Sequence, residues 1–315
     1  MPRQSSKLSF IVAPADEGRR LDTVCASECD EVSRSYFQKL AAEGYITVDG
    51  VCVTDKNFRL TAGMLVEAQI PDASPKDPEP EDIPLDIVYE DDAIVIVNKA
   101  RGMVVHPAPG NETGTLVNAL LARYGDPLSE VGDPARPGIV HRMDKETSGL
   151  LVCARTPEAY ASLRAQFDKH DIERKYMALC YNNLPAETGR IDVPIGRNPV
   201  NRLKRAANGE DARPAVTEYR IISRFGSYTL VECSLYTGRT HQIRVHMAYI
   251  GNPLVGDTLY GPKRDRFALE GQALYAEVLG FTHPETGAFV RFTCDEPDWF
   301  TKAVNKVKTR QQAAT

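Results

Sequence analysis

The chain has 315 residues, 42% hydrophobic and 26% charged, the composition of a soluble globular protein long enough for two domains. No apolar run approaches the ~20 residues of a membrane helix, residues 1–10 lack the apolar core of a secretory signal, and seven cysteines without a Cys-x-x-Cys pair argue against a disulfide framework or zinc site and for free thiols in a reducing cytoplasm. The formal charge is −5, but residues 72–92 carry nine acids against Lys76, a sum of −8, so the rest of the chain carries +3 and a polyanionic partner stays open.

In chain order, residues 17–72 make a small unit. A first helix fits residues 21–29. A second fits 34–43, with Ser33 as its cap, Phe37, Leu40 and Ala41 on one face and Gly44 as terminator. Asp49-Gly50 between two short apolar runs, 45–48 and 51–53, is a strong hairpin signal, and residues 65–70 read as a last strand after Gly63. Residues 73–83, rich in proline and acid, read as an extended linker.

Residues 84–303 form a larger unit, and residues 304–315, polar and basic, a frayed tail. β-branched and aromatic residues predict strands over 94–98, 139–141, 150–154, 175–180, 216–223, 228–235, 273–279 and 288–293. Helices fit 116–124, 157–169 behind Thr156 and Pro157, and 241–250 with Thr240 as cap and Gly251 as terminator. Strands joined by short turns make the expected class α+β: a small N-terminal α/β module, then a mixed, mainly antiparallel sheet flanked by helices.

Residues 138–152 say most about chemistry. Apolar residues enter and leave this run, and between them stand His141, Arg142, Met143, Asp144, Lys145, Glu146, Thr147, Ser148 and Gly149. Charged residues are seldom buried unpaired, so such a group between apolar segments marks a site on a rigid scaffold. Arg244, four residues past Thr240 and flanked by Ile243, Val245 and Met247, suits an inward-facing cation. His241 and His246, five apart, do not share a helix face, which argues against a metal pair. Residues 197–213 hold Arg197, Arg202, Lys204, Arg205 and Arg213 against Glu210 and Asp211, a loop of net +3 suited to phosphates.

The run around Asp144 closely resembles the signature of the RluA-type RNA pseudouridine synthases. Residues 84–91, 97–100, His106-Pro107, 237–246, 253–257 and Tyr260-Gly261 resemble further blocks of that family, in its order. The pattern Arg20-Leu21-Asp22, Ser33-Arg34-Ser35, Gly44, Val48-Asp49-Gly50 and Gly63 resembles the S-four-type RNA-binding module. A module in front of such a domain is similar to the D type that acts on large-subunit ribosomal RNA. The resemblance implies isomerisation of uridine to pseudouridine in RNA by base flipping, with no cofactor and no metal. It implies Asp144 as the catalytic residue, Arg244 as its charge partner, Tyr176 as a ring against the uracil, and Arg142 as the wedge that replaces the flipped nucleotide. Expected RNA contacts are Arg142, His141, Arg34, Lys39, Arg202, Lys204 and Arg205. The expected setting is cytoplasmic, without a membrane; oligomeric state is open, with a monomer favoured.

Two rivals remain at this level. One is a binding-only assembly factor on the same fold, which need not keep Asp144, Tyr176 and Arg244 together. The other is a hydrolase of ribosyl bonds, whose chemistry commonly needs two acids, and no second acid is evident beside Asp144.

Overall fold

A computed structural model describes residues 6–29, 34–55, 57–70, 78–108, 110–201, 204–263, 267 and 269–313. The chain divides into two compact units, Met1–Lys76 and Asp77–Thr315. No helix among the described residues is long and apolar enough to cross a membrane.

The first unit is an antiparallel sheet under two helices. Its strands are β1 (Ser6–Ile11), β2 (Ile46–Val48), β3 (Val51–Cys52) and β4 (Leu65–Ile70), in the order β1-β4-β2-β3. Helices α1 (Leu21–Glu28) and α2 (Arg34–Ala42) bury Leu21, Val24, Cys25, Phe37 and Leu40 against Ile46, Val48, Val66 and Ala68. The hairpin turn at Asp49-Gly50 has positive φ at both residues, 50° and 77°, the backbone that suits a two-residue loop. Strand β1 lies before the start at residue 17 expected from sequence; its outer position and mixed polar pattern hid it. The cap expected at Ser33 lies outside the described residues.

The second unit carries strands β5 (Ile87–Glu90), β6 (Ile94–Lys99), β7 (Ser148–Ala154), β8 (Glu173–Tyr181), β9 (Thr188–Asp192), β10 (Ile195–Arg197), β11 (Arg205–Ala207), β12 (Glu210–Arg213), β13 (Val216–Phe225), β14 (Tyr228–Leu235), β15 (Leu274–Thr282) and β16 (Phe289–Thr293). Its main sheet runs β5-β6-β7-β15-β8-β14-β13-β9, with β16 also on β15. Only the β7–β15 pairing is parallel, so the sheet is mixed and mainly antiparallel, in an α+β fold. A small sheet, β11-β10-β12, stands apart from it. Helices α3 (Leu116–Tyr124), α4 (Asp126–Ser129), α5 (Pro157–Lys169) and α6 (Gln242–Tyr249) belong to this unit, and α7 (Asp298–Ala313) closes it. Leu116, Leu120, Leu163, Ile243 and Met247 pack with β6 and β7 in the main core. Phe300, Ala303, Val304 and Val307 of α7 pack with Met177 and Leu179 of β8 in a second core.

Three expectations are corrected here. Residues 139–141 do not form a strand: Ile139 makes a single bridge to Cys153, after which the His141 ring, not backbone, receives the Val152 N–H at 3.1 Å. The tail is not frayed from residue 304, because α7 buries Val304 and Val307. Residues 79–83 are docked rather than a free linker. Asn118 Nδ2 donates to the Glu79 carbonyl at 2.7 Å, and Glu81 N donates to the Asn118 carbonyl at 3.0 Å. Residues 73–77 lie outside the described residues.

Candidate active site

Asp144 sits on the loop that leads into β7, and several contacts fix that loop. Met143 is buried in the core beneath it. The Thr147 N–H donates to the Asp144 carbonyl at 3.0 Å, and the Gly102 N–H to the Lys145 carbonyl at 2.9 Å. Buried Lys99 donates its ammonium to the carbonyls of Ala100, Met103 and Lys145, at 2.8, 2.8 and 3.2 Å. Gln272 donates to the Thr147 hydroxyl at 3.0 Å. Gly149 has φ 107°, and a Cβ there would run into the Ala276 backbone on β15. The Thr147-Ser148-Gly149 part of the motif is thus the entry of β7 against its neighbour.

Arg244 comes from the first turn of α6. The N-cap of that helix is His241, in the left-handed region at φ 59°, not Thr240. Gln242, the first helical residue, accepts from the Thr237 hydroxyl (2.7 Å) and the Arg239 N–H (2.9 Å), and donates to the Val216 carbonyl (2.9 Å) and the Thr217 hydroxyl (3.0 Å). Those four bonds satisfy its amide in full and pin the helix start. Arg244 Nη1 then lies 3.0 Å from Asp144 Oδ2, while Nε and Nη2 lie 2.7 and 3.0 Å from the two oxygens of Asp257. Asp257 is 2% exposed. Burial alone would lower the Arg244 pKa, but the two carboxylates reverse this and hold the guanidinium charged.

The second oxygen of Asp144 faces His241, with Oδ1 3.8 Å from Nε2. His241 Nδ1 is 2.8 Å from the Tyr260 hydroxyl, which accepts from the Arg205 N–H at 2.7 Å. An accepted N–H leaves the phenol proton for Nδ1, so the imidazole proton is assigned to Nε2, toward Asp144. Burial pushes the His241 pKa below its ordinary value. Tyr260 therefore ties the start of β11, with Arg205, to the group around Asp144. Lys204 Nζ stands 5.9 Å from the Tyr260 ring centre.

Tyr176, on β8, is buried and lines the same cavity of about 670 Å³ as Asp144, Arg142, His241 and Arg244. Burial pushes its phenol pKa up, so it stays protonated at neutral pH. Arg142 is exposed and has no hydrogen-bond or ion-pair partner among the described residues. Its neighbour Glu146 faces Arg101 at 3.8 Å. The cavity wall also carries Arg136, Arg164, Arg174, Arg213 and Arg239, an excess of cations suited to a polyanion.

His141 lines this cavity and is also held by protein contacts. Its Nε2 accepts from Val152 N, and its ring stacks on Phe167 at 4.6 Å. Burial first, then the charge of Arg174, push its pKa down to about 3. These contacts give His141 a structural role beside its place on the cavity wall. His246 is likewise held inside, between the Thr217 hydroxyl and the Val193 carbonyl at 2.9 and 2.8 Å.

In the small unit, Arg34 Nε donates to buried Asp22 at 2.9 Å, and Lys39 is 3.8 Å from Glu43. Both side chains are half or more exposed, at 50% and 61%. Arg202 lies outside the described residues. Sequence reasoning assigned no role to Asp257, Tyr260 or Arg174. The first two stand in quoted blocks, but nothing in the spacing links them to Asp144, 113 and 116 positions away.

Comparison with known proteins agrees with this geometry. The family model for RNA pseudouridylate synthases matches residues 93–249, and that for the S4 domain matches residues 19–66. An uncharacterized RNA pseudouridine synthase of Bacillus subtilis is 42% identical over 96% of this chain and 99% of its own length. The chain belongs to the RNA pseudouridine synthases, isomerases that act on RNA. Within that class it is similar to a protein of Zymomonas mobilis named ribosomal large subunit pseudouridine synthase D, at 45% identity over 89% of this chain and 91% of that one. Among solved structures, human RNA pseudouridylate synthase domain containing 1 shares the fold. Its TM-score is 0.57 at 23% identity, over 73% of this chain and 95% of that one.

Proposed function

We propose that this chain converts uridine to pseudouridine in large-subunit ribosomal RNA, with Asp144 as its catalytic residue. The observation that carries the reading is the Asp144–Arg244 pair, 3.0 Å apart, in a cationic cavity that Tyr176 also lines. The target class follows the relatives named ribosomal large subunit pseudouridine synthase D.

The reaction breaks the bond between C1′ and N1, turns the uracil and joins C1′ to C5. The C5 proton leaves and N1 gains one, so the nucleotide keeps its composition. Asp144 is suited to the sugar side. Arg244 occupies Oδ2, keeps the carboxylate anionic and leaves Oδ1 to meet positive charge at C1′. The Tyr176 ring offers a face for the turning uracil. Taking a paired uridine out of its stack costs a few kcal/mol, and the exposed guanidinium of Arg142, two residues from Asp144, would fill the gap and stack on neighbouring bases.

RNA would be gripped twice, by Arg34 and Lys39 of the small unit and by Lys204, Arg205 and Arg202 of the basic segment 197–213. Two weak grips on one strand raise effective affinity. A ribosyl hydrolase fits less well. The second carboxylate near Asp144 is Asp257, buried and held by both remaining nitrogens of Arg244.

The test is pseudouridine formation on a large-subunit ribosomal RNA transcript. Asp144→Asn abolishes it and leaves RNA affinity within a few-fold of wild type. A variant that still makes pseudouridine, or a wild type that releases free uracil, overturns the assignment.

A further inference from the structure

Two arginines of the cavity are almost equally buried, Arg174 at 6% and Arg244 at 8% exposure, yet only one is paired. Arg244 has two carboxylates. Arg174 has none among the described residues; its one hydrogen bond is from Nη2 to the Tyr236 carbonyl at 3.3 Å, and its buried Nε has no partner. Its guanidinium carbon lies 5.3 Å from the Phe167 ring centre, and burial lowers its pKa. An ion taken out of water without a counter-charge is costly, and the chain makes room for this one. A Cβ on Gly238 would lie 2.8 Å from Arg174 Nη1, so the glycine of the Thr237-Gly238-Arg239 motif leaves space for the guanidinium to stand at the cavity wall.

Position indicates which anion could meet this cation. Arg174 and Tyr176 are alternate residues of β8, so both face the cavity, about 7 Å apart along the strand. That spacing spans a base and the phosphate of the same strand. The planar guanidinium matches two phosphate oxygens.

We propose that Arg174 binds a backbone phosphate of the RNA strand beside the nucleotide on which Asp144 acts, as the counter-ion that its buried site lacks. The proposal rests on the function argued above and deepens it: the phosphate held by Arg174 would set where the sugar of that nucleotide stops against Asp144.

The test uses the full chain and an unmodified large-subunit ribosomal RNA transcript, with affinity measured from low to high salt and pseudouridine formation followed in parallel. Arg174→Gln lowers the slope of log affinity against log salt by about one phosphate contact and raises KM more than it lowers kcat. Arg174→Lys keeps the slope. Gly238→Ala, which crowds the guanidinium without removing charge, weakens RNA binding in the same direction and serves if Arg174→Gln does not fold. An unchanged slope in folded Arg174→Gln, or a loss confined to melting temperature, overturns the proposal. A wild type that binds with the expected slope but forms no pseudouridine overturns the proposed function instead, and leaves the phosphate contact standing.

Discussion

Arg244 divides one guanidinium between Asp144 and Asp257, giving one nitrogen to the first, at 3.0 Å, and two to the second, at 2.7 and 3.0 Å. The buried Asp257 fork fixes the plane, and the plane fixes where Nη1 meets the partly buried carboxylate of Asp144. A lysine carries the charge but cannot make both contacts. Arg244→Lys should therefore lower kcat on ribosomal RNA by about 100-fold, the usual cost of a misplacement near 1 Å, with RNA affinity little changed. Single-turnover assays with saturating enzyme check this; a loss confined to affinity would count against the positioning argument.

Asp257→Ala removes the fork and leaves a buried cation with one partner. Breaking such a pair costs about 3–5 kcal/mol, so denaturant unfolding should show a large part of the stability of the large unit lost. The same change at Asp144, whose side chain is 16% exposed, should cost much less in stability and far more in turnover. The two acids of one arginine thus separate a structural from a chemical role.

The loop bearing Asp144 was legible in sequence because its charges interrupt two apolar runs, and most helices and strands were legible from period and caps. What was not legible depended on distant partners. His141 is expected from sequence as an RNA contact, and its ring also takes the backbone proton of Val152 that a strand over 139–141 would have used. Arg244 was placed correctly by its apolar neighbours, while Asp257, Tyr260 and Arg174 acquire meaning only when β8, α6 and the 257–260 turn converge. Strands β9 to β12 are short, polar and set by pairing rather than by pattern.

Stability should depend on pH through His141. Unfolded, this histidine takes a proton below about 6.5; folded, burial and Arg174 keep it neutral down to about 3. Between those values the unfolded chain binds more protons, so stability falls as pH drops from about 6.5 toward 3. Above that window the histidine contributes no slope. His141→Gln, which can still accept from Val152 N, should flatten this part of the profile in urea titrations at fixed ionic strength. An identical profile in wild type and variant would contradict the burial argument.

Gly149 and Gly102 both have positive φ, 107° and 81°, but only Gly149 lacks room for a methyl group. Alanine at Gly102 should cost about 1–2 kcal/mol, the strain of a left-handed backbone. Alanine at Gly149 adds a collision with Ala276 across the parallel β7–β15 pairing, and a loss on the order of 4–5 kcal/mol is expected. Thermal melts of the two variants, side by side, test whether close approach or conformation dominates at the entry of β7.

The C-terminal helix should be indispensable although nothing in it touches the cavity. Phe300, Ala303, Val304 and Val307 recur at helical spacing and are 5% exposed or less. They cover Met177 and Leu179, which alternate along β8 with Tyr176 and Ala178 of the main core. The stripe begins at Phe300 and crosses residue 303, where sequence composition turns polar, which is why the tail read as frayed. Each large apolar side chain returned to water costs about 1.5–3 kcal/mol, and the loss of Phe300, Val304 and Val307 together rivals the ~5–15 kcal/mol that stabilises a typical domain. A chain ending at residue 297 should be insoluble or unfolded. One ending at residue 309 keeps the whole stripe, forfeits contacts of the last turn such as the Arg310 guanidinium 4.6 Å from the Phe267 ring, and should melt within a few degrees of the full chain with activity intact. Equal behaviour of the two truncations would mean that the back of β8 is held by something other than α7.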